Sequence, residues 1–347
     1  MRYRGSFLPV LAVALMSTGG NAIAADPDVA ASGAIADFNR RCAQVGVIRC
    51  VGFDDASVLR GKSGGHAGIM AGAAEPALDT SVRASGAGSL KFTIPSKSGA
   101  NTSGSYFTNF SDDLSVQFGE NQEFFVQWRQ RFSPEFLSTQ YLDGAGWKLI
   151  IVGTGDRAGK PYSSCTALEV VAQSYYQNAF PVLYNSCTGS SSHKPYDGFY
   201  EPVPGTSGAD FKLQNARPSP YCLYSQKRSS YFASGGNCFG YVANEWMTFQ
   251  LGIRTGRRVN DEFVDSRVRL WMARENAPSE LVIDWGPYNL SAGTPADNER
   301  FGKVWLLPYN TGKDPTQNHP VGYTWYDELV ISRSRIADPG PVQGIPR

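Results

Sequence analysis

The chain has 347 residues, with 32 Lys+Arg against 31 Asp+Glu and a formal net charge of +1. A near-neutral balance with no basic block argues against a nucleic-acid partner. Glycine (37), proline (21) and aromatic residues (19 Phe, 17 Tyr, 7 Trp) are abundant, a composition that suits a turn-rich β-sandwich and an aromatic-lined sugar groove.

In chain order, residues 1–24 read as a signal peptide. Arg2 and Arg4 precede an apolar run from Phe7 to Met16, and Ala22-Ile23-Ala24 is the small-x-small pattern a signal peptidase accepts. That run is shorter than the roughly 20 apolar residues a spanning helix needs, and no later segment is apolar enough. The expectation is a secreted or periplasmic, monomeric protein with no membrane insertion. Residues 25–45 form a partly helical lead-in around Ile35, Phe38 and Cys42.

One large domain, 46–336, follows. Its strand signals are Gly46 to Phe53, Ser89 to Ile94, Glu123 to Phe132, Trp147 to Val152, Leu168 to Ala172 and Phe180 to Tyr184. Further on come Trp246 to Arg254, Arg267 to Ala273, Leu281 to Trp285, Lys303 to Leu307 and Trp325 to Ser332. Gly61 to Ala77 reads as a loop. Side chains alternate across a strand, so Phe124, Val126, Trp128 and Phe132 share one face and Phe125, Gln127, Arg129 and Arg131 the other. The second set is costly to bury dry, which predicts solvent or a wet groove on that side.

Thr188 to Gly240 has weak periodicity and four aromatic clusters, and is expected to form ordered loops over one face of the sandwich. Residues 337–347 read as a tail. Strands without alternating helices predict an all-β, antiparallel sandwich with long disulfide-pinned loops, or two tandem sandwiches broken within 188–240. The six cysteines fall in neighbour pairs, Cys42/Cys50, Cys165/Cys187 and Cys222/Cys238. Neighbour pairing in an oxidising compartment is expected, although sequence alone does not choose the connectivity.

The stretch VWLLPYNTGKDPTQNHPVGYTWYDELVISRSRI, with SLKFTIPSKSGANTSG and EFFVQWRQRFSPEF, resembles concanavalin A-like jelly rolls, particularly secreted polysaccharide lyases. The resemblance implies a jelly roll and carbohydrate chemistry. The E-x-D-x-x-E string of family 16 glycosidases is absent. Tyr309 to Lys313 and Gln317 to His319 only echo two motifs of the alginate lyases.

A lyase acting on a uronate chain must neutralise the carboxylate, remove the neighbouring C–H proton and protonate the leaving oxygen. Planar donors suit the first task, and His, Lys or Tyr the others. The candidates for catalysis are Arg129, Lys148, His193 and Tyr309. Gln127, Arg131, Glu169, Gln250, Arg254, Asn310, His319 and Trp271 are candidates for substrate contact. Against these stand a solvated strand face for Arg129, a snorkelling lysine for Lys148, local loop hydrogen bonds for the histidines and core packing for the tryptophans. Trp147 and Trp325 are further stacking candidates. No cofactor is required. Asp54 and Asp327 are candidate oxygen ligands for a structural calcium joining the first and last strands, the alternative being turn capping and an edge ion pair.

The leading expectation is a polysaccharide lyase cleaving an acidic glycan by β-elimination. The alternatives are a non-catalytic carbohydrate-binding protein and a glycoside hydrolase, in which Glu169 would work with a remote Glu280 or Asp284. All three readings need the polar sides of several strands to meet in one trough.

Overall fold

The computed structural model describes residues 27–60, 67–142, 146–175, 180–185, 187, 212–213, 239–293 and 295–340. The segment read as a signal peptide, His66, His193, the Cys222/Cys238 pair, most of the 188–240 region and residues 341–347 lie outside the described residues.

Two antiparallel sheets pack face to face. The first runs β12 (Arg258–Val259), β13 (Glu262–Ala273), β11 (Met247–Arg254), β6 (Glu123–Phe132), β16 (Gly322–Ser332), β4 (Ser89–Ile94) and β3 (Ala77–Asp79), with β1 (Val47–Val51) on β16 and β14 (Glu280–Ser291) on β13. The second runs β10 (Lys212–Leu213), β9 (Phe180–Asn185), β8 (Glu169–Tyr175), β7 (Lys148–Thr154), β15 (Phe301–Leu306), β5 (Ser105–Asn109) and β2 (Ala67–Met70). The expected all-β sandwich is therefore what the chain forms, with strands from early and late in the chain interleaved in each sheet. β5 lies centrally between β15 and β2, yet its short SYFTN run stands between glycines and turn residues and gives little periodic signal. β2 falls where a loop is expected, and β3 begins at that loop's last residue.

The core follows the alternation. Phe124, Val126 and Trp128 of β6, Phe249, Leu251 and Ile253 of β11, and Leu90, Phe92 and Ile94 of β4 face Ile150 and Val152 of β7, Val170 and Ala172 of β8, and Val304 and Leu306 of β15. Trp128 stacks on Phe249 with ring centres 5.2 Å apart. Gln130 also points inward, where it bonds Thr324 Oγ1 at 3.0 Å and accepts from Trp128 Nε1 at 3.2 Å. This pairing satisfies an amide that would be expensive to bury alone.

The lead-in is α1 (Pro27–Cys42), which lies on the outer face of the first sheet. Its last residue is tied to β1 by the Cys42–Cys50 disulfide, and a second bridge joins Cys165 to Cys187. Both are the neighbour pairs expected from sequence, and both suit an oxidising compartment. Among the described residues no helix is long and apolar enough to cross a membrane.

Candidate active site

The outer face of β6 departs from expectation. Gln127 is fully buried and Arg129 nearly so, because α1 and the 336–340 segment cover them. Arg41, on the buried side of α1, donates Nη1 to Gln127 Oε1 at 2.9 Å, Nε to Asp37 Oδ2 at 2.9 Å and Nη2 to Glu328. The Gln127 amide donates to Ala337 O at 3.1 Å. Gln250 donates to Ile336 O at 3.0 Å and accepts from Ile336 N at 2.8 Å. Arg129 donates to Trp246 O at 3.2 Å and lies 3.8 Å from Glu328 and 3.7 Å from Glu275.

Trp271 packs beside Phe125, with the Arg269 and Arg335 guanidiniums over its ring. The expectation of a wet groove here is corrected: an arginine-bearing helix supplies the hydrogen bonds that water would otherwise provide. Arg131 is half-buried beside Trp325 in the register, and Arg254 is exposed at the strand end.

The outer face of the second sheet carries a different pattern. Register aligns Tyr184, Val171, Ile151, Trp305 and Phe107 in one row across β9, β8, β7, β15 and β5. Trp305 and Phe107 are 5.0 Å apart. Polar side chains flank this aromatic and aliphatic row. On one side Glu169 and Lys303 sit either side of Gly153. On the other, Lys148 pairs with Gln173, and its backbone N–H donates to Tyr309 O at 2.8 Å. Gly153 leaves space for Glu169, since a Cβ there would come within 3.3 Å of the glutamate Cβ and 3.2 Å of Leu168 O.

The Lys148 ammonium lies 5.2 Å from the centre of the Tyr309 ring and 5.8 Å from that of Tyr184. Burial pushes its pKa down from the ordinary lysine value, while the Glu169 charge pulls the other way. Glu169 is fully buried. Its Oε2 accepts from Thr166 N at 3.1 Å, and its Oε1 meets no donor among the described residues. Burial raises the Glu169 pKa to about 7, against the opposing pull of Lys148 and the Thr166 hydrogen bond. The Tyr184 phenol is pushed well above its usual value by burial and then by Glu169 and Tyr309. A carboxyl poised near neutrality within electrostatic reach of a desolvated lysine is the kind of perturbed pair found at functional sites.

Lys303 is not free for chemistry. It bonds Asp156 at 2.9 and 3.1 Å and Tyr162 O at 2.8 Å.

The expected single trough is therefore corrected. Lys148, Glu169 and Tyr309 share the outer face of the second sheet, Lys148 near the Tyr309 ring and Glu169 across the aromatic row, while Gln127, Arg129, Gln250 and Trp271 lie on the opposite outer face. Asn310 turns inward opposite Trp147, which is a core residue, and its Oδ1 accepts from Gly312 N at 2.9 Å. His319 packs edge-on against Tyr141, and its backbone N–H donates to Ser96 Oγ at 2.9 Å. Sequence reasoning missed Tyr184, Gln173 and Trp305, whose only signal was alternation opposite core residues. The hydrolase pairing is not assembled either, because Glu280 and Asp284 lie on β14 of the other sheet, Asp284 bonded to Arg267.

The two candidate calcium ligands are occupied by backbone donors. Asp54 accepts from Ala87 N and Gly88 N, and Asp327 from Ala84 N at 2.8 Å, Ser85 N at 3.3 Å and Glu328 N at 2.7 Å. Among the described residues no three His, Cys, Asp or Glu side chains are grouped to hold a metal. The chemistry of these donors fits turn and strand fixation rather than ion binding.

No known family model matches the chain, and no curated protein matches it. Three solved structures are similar in outline. An alginate lyase from Chlorella virus shares 14% identity over 83% of this chain and 100% of its own, with a TM-score of 0.46. A marine PL-14 alginate lyase from Aplysia kurodai shares 12% over 74% of this chain and 86% of its own, with a TM-score of 0.43. The cellulose induced protein Cip1 shares 14% over 76% and 87%, with a TM-score of 0.40.

Proposed function

We propose that the protein is a polysaccharide lyase acting on a uronate-containing glycan, with its reaction centre on the outer face of the second sheet. The observation that carries this reading is the Lys148–Glu169–Tyr309 grouping, three proton-handling or charge-bearing groups beside an aromatic row. The Lys148 ammonium opposes the uronate carboxylate, so that negative charge developing at the neighbouring carbon is stabilised. Glu169, with a pKa near 7 and one oxygen without a donor, takes the C–H proton as general base. Tyr309, half-buried at the edge of the row, gives a proton to the departing glycosidic oxygen. The C–O bond breaks as the C=C bond forms, and Tyr309 and Glu169 then exchange protons with solvent. Trp305, Phe107 and Tyr184 suit the apolar faces of sugar rings.

Incubation with a panel of uronate polymers, followed at the ultraviolet absorbance of the unsaturated product, tests the reading. Product is expected from at least one polymer. Folded protein that yields none from any would overturn it. Sugar-dependent thermal stabilisation without product would instead identify a binding protein, and reducing ends without the double bond a hydrolase.

A further inference from the structure

Beyond the Lys303 end of this face, two clefts of about 280 and 370 Å³ adjoin and share Asn298 and Arg300 in their walls. Arg258 contributes to the first and Arg157 to the second. Their connection to the reaction centre is direct: Gly155 N, at the end of β7, bonds Arg300 O at 2.9 Å, and the next residue, Asp156, holds Lys303. Arg300 lies five positions before Trp305 in the chain, about 16 Å at the rise of an extended strand. A glycan lying along β15 past Trp305 would therefore reach the clefts within a few sugar residues.

The cleft walls carry Arg157, Arg258 and Arg300 together with the carboxylates of Glu120 and Asp297. Arg157 and Lys160 share one carboxylate, Asp297. The Arg258 guanidinium is held by three backbone carbonyls, Ala292 at 2.7 Å, Glu299 at 2.9 Å and Gly293 at 3.4 Å, with the Glu299, Glu120 and Asp261 carboxylates in electrostatic reach. The nearby Glu120 carboxylate accepts the Arg258 backbone N–H at 3.1 Å. Arg300 is exposed, and its side chain makes no hydrogen bond or ion pair among the described residues. A free guanidinium fork in a cleft between two other arginines is a geometry suited to bidentate carboxylate recognition.

We infer that this arginine cleft is a secondary binding site for the carboxylate groups of an acidic glycan whose chain extends from the Lys148–Glu169 site. The inference rests on the uronate reading of that site and assigns Arg300 as the anchoring contact.

The test is calorimetric titration of the full chain carrying Tyr309→Phe, which suppresses turnover, with short and long oligouronates, a neutral glucan and a sulfated glucan. Adding Arg300→Gln is expected to weaken long-oligouronate binding about tenfold and to flatten its salt dependence, with a smaller effect on short oligomers. Arg157→Gln should act in the same direction more weakly. Equal thermal transitions establish that the variants are folded.

Unchanged long-oligouronate affinity in both variants overturns the cleft assignment, as does an equal loss toward the neutral glucan. The same Arg300 dependence with the sulfated glucan overturns the carboxylate assignment. Absence of unsaturated product from the wild-type protein, with Arg300-dependent uronate binding intact, discards the lyase reading and keeps the cleft. Product formation with Arg300-independent binding discards the cleft alone.

Discussion

The two outer faces of this sandwich start from similar sequence and reach opposite ends. Both carry charged and amide side chains alternating with core residues, on β6 and β11 in one sheet and on β7 and β8 in the other. On the first sheet the two buried amides are fully partnered, since Arg41 reaches Gln127 and Glu328 and the chain end at Ile336 and Ala337 closes on Gln250 and Gln127, while the Nε atoms of Arg129 and Arg131 meet no acceptor among the described residues. On the second, Glu169 keeps an oxygen without a donor among the described residues, and Lys148 has aromatic rings rather than a carboxylate in contact. A saturated polar network rigidifies, whereas an under-coordinated one stores reactivity. Residue type does not separate the two cases; the partners do.

Variants on the two faces should therefore fail differently. The largest effect is expected from Glu169→Gln, Lys148→Ala and Tyr309→Phe, each lowering kcat on a uronate polymer by roughly 10²–10⁴-fold with the fold retained. Initial-rate measurements together with thermal melts check this. The comparison breaks if Gln250→Ala on the other face lowers kcat as much as they do.

Next is Arg41→Ala, which leaves the Glu328 carboxylate buried without its closest cation. It should cost about 3–5 kcal/mol in denaturant unfolding, whereas the second-sheet variants should not.

The pH dependence sharpens the contrast further. Because the folded pKa of Glu169 is raised to about 7 from an ordinary 4.5, the unfolded chain releases its proton first. The stability owed to this group is present below about pH 4.5 and is lost as pH rises through 7, a difference on the order of 3 kcal/mol. Glu169→Gln should flatten that decline and make the protein more stable than wild type at pH 8. The rate should rise through about pH 7 in the wild type as the general base ionises. Unfolding and rate profiles over the same pH series check both signs; a stability that rises from pH 5 to 8 in step with Glu169 would contradict the assignment.

The smallest effect concerns the α1 staple. The Cys42–Cys50 bridge closes a short loop, with a sequence separation of 8, so replacing both cysteines by serine should cost about 2–3 kcal/mol. Activity per folded molecule should be little changed, because α1 covers the face away from the reaction centre.

Much of the architecture was legible because a strand's side chains repeat every two residues. Phe124, Val126 and Trp128, or Met247, Phe249, Leu251 and Ile253, announce both the element and its buried side. The lead-in helix and two of the disulfide pairs were equally readable, from local spacing. β5 was not, since five residues between turns give no period to detect. Nor was the split of the candidate site. Arg129 and Lys148 each stand opposite core residues on a strand, and alternation says only that they point outward. It does not say which of two sheets a strand joins, nor what then lies over it.

The sequence by itself thus determined an all-β chain with inward and outward residues assigned strand by strand, together with the residue types from which a site is made. Only the tertiary structure decided that β6 and β7 belong to opposite sheets, that Arg41 of α1 is buried against Gln127, and that Glu169 shares a face with Lys148, which lies near the rings of Tyr184 and Tyr309. The reason is physical. Alternation is a property of neighbouring residues, but desolvation and pairing are set by groups brought from distant parts of the chain, and these turn one outward-facing charge into a structural clasp and leave another with a raised pKa and an oxygen without a donor.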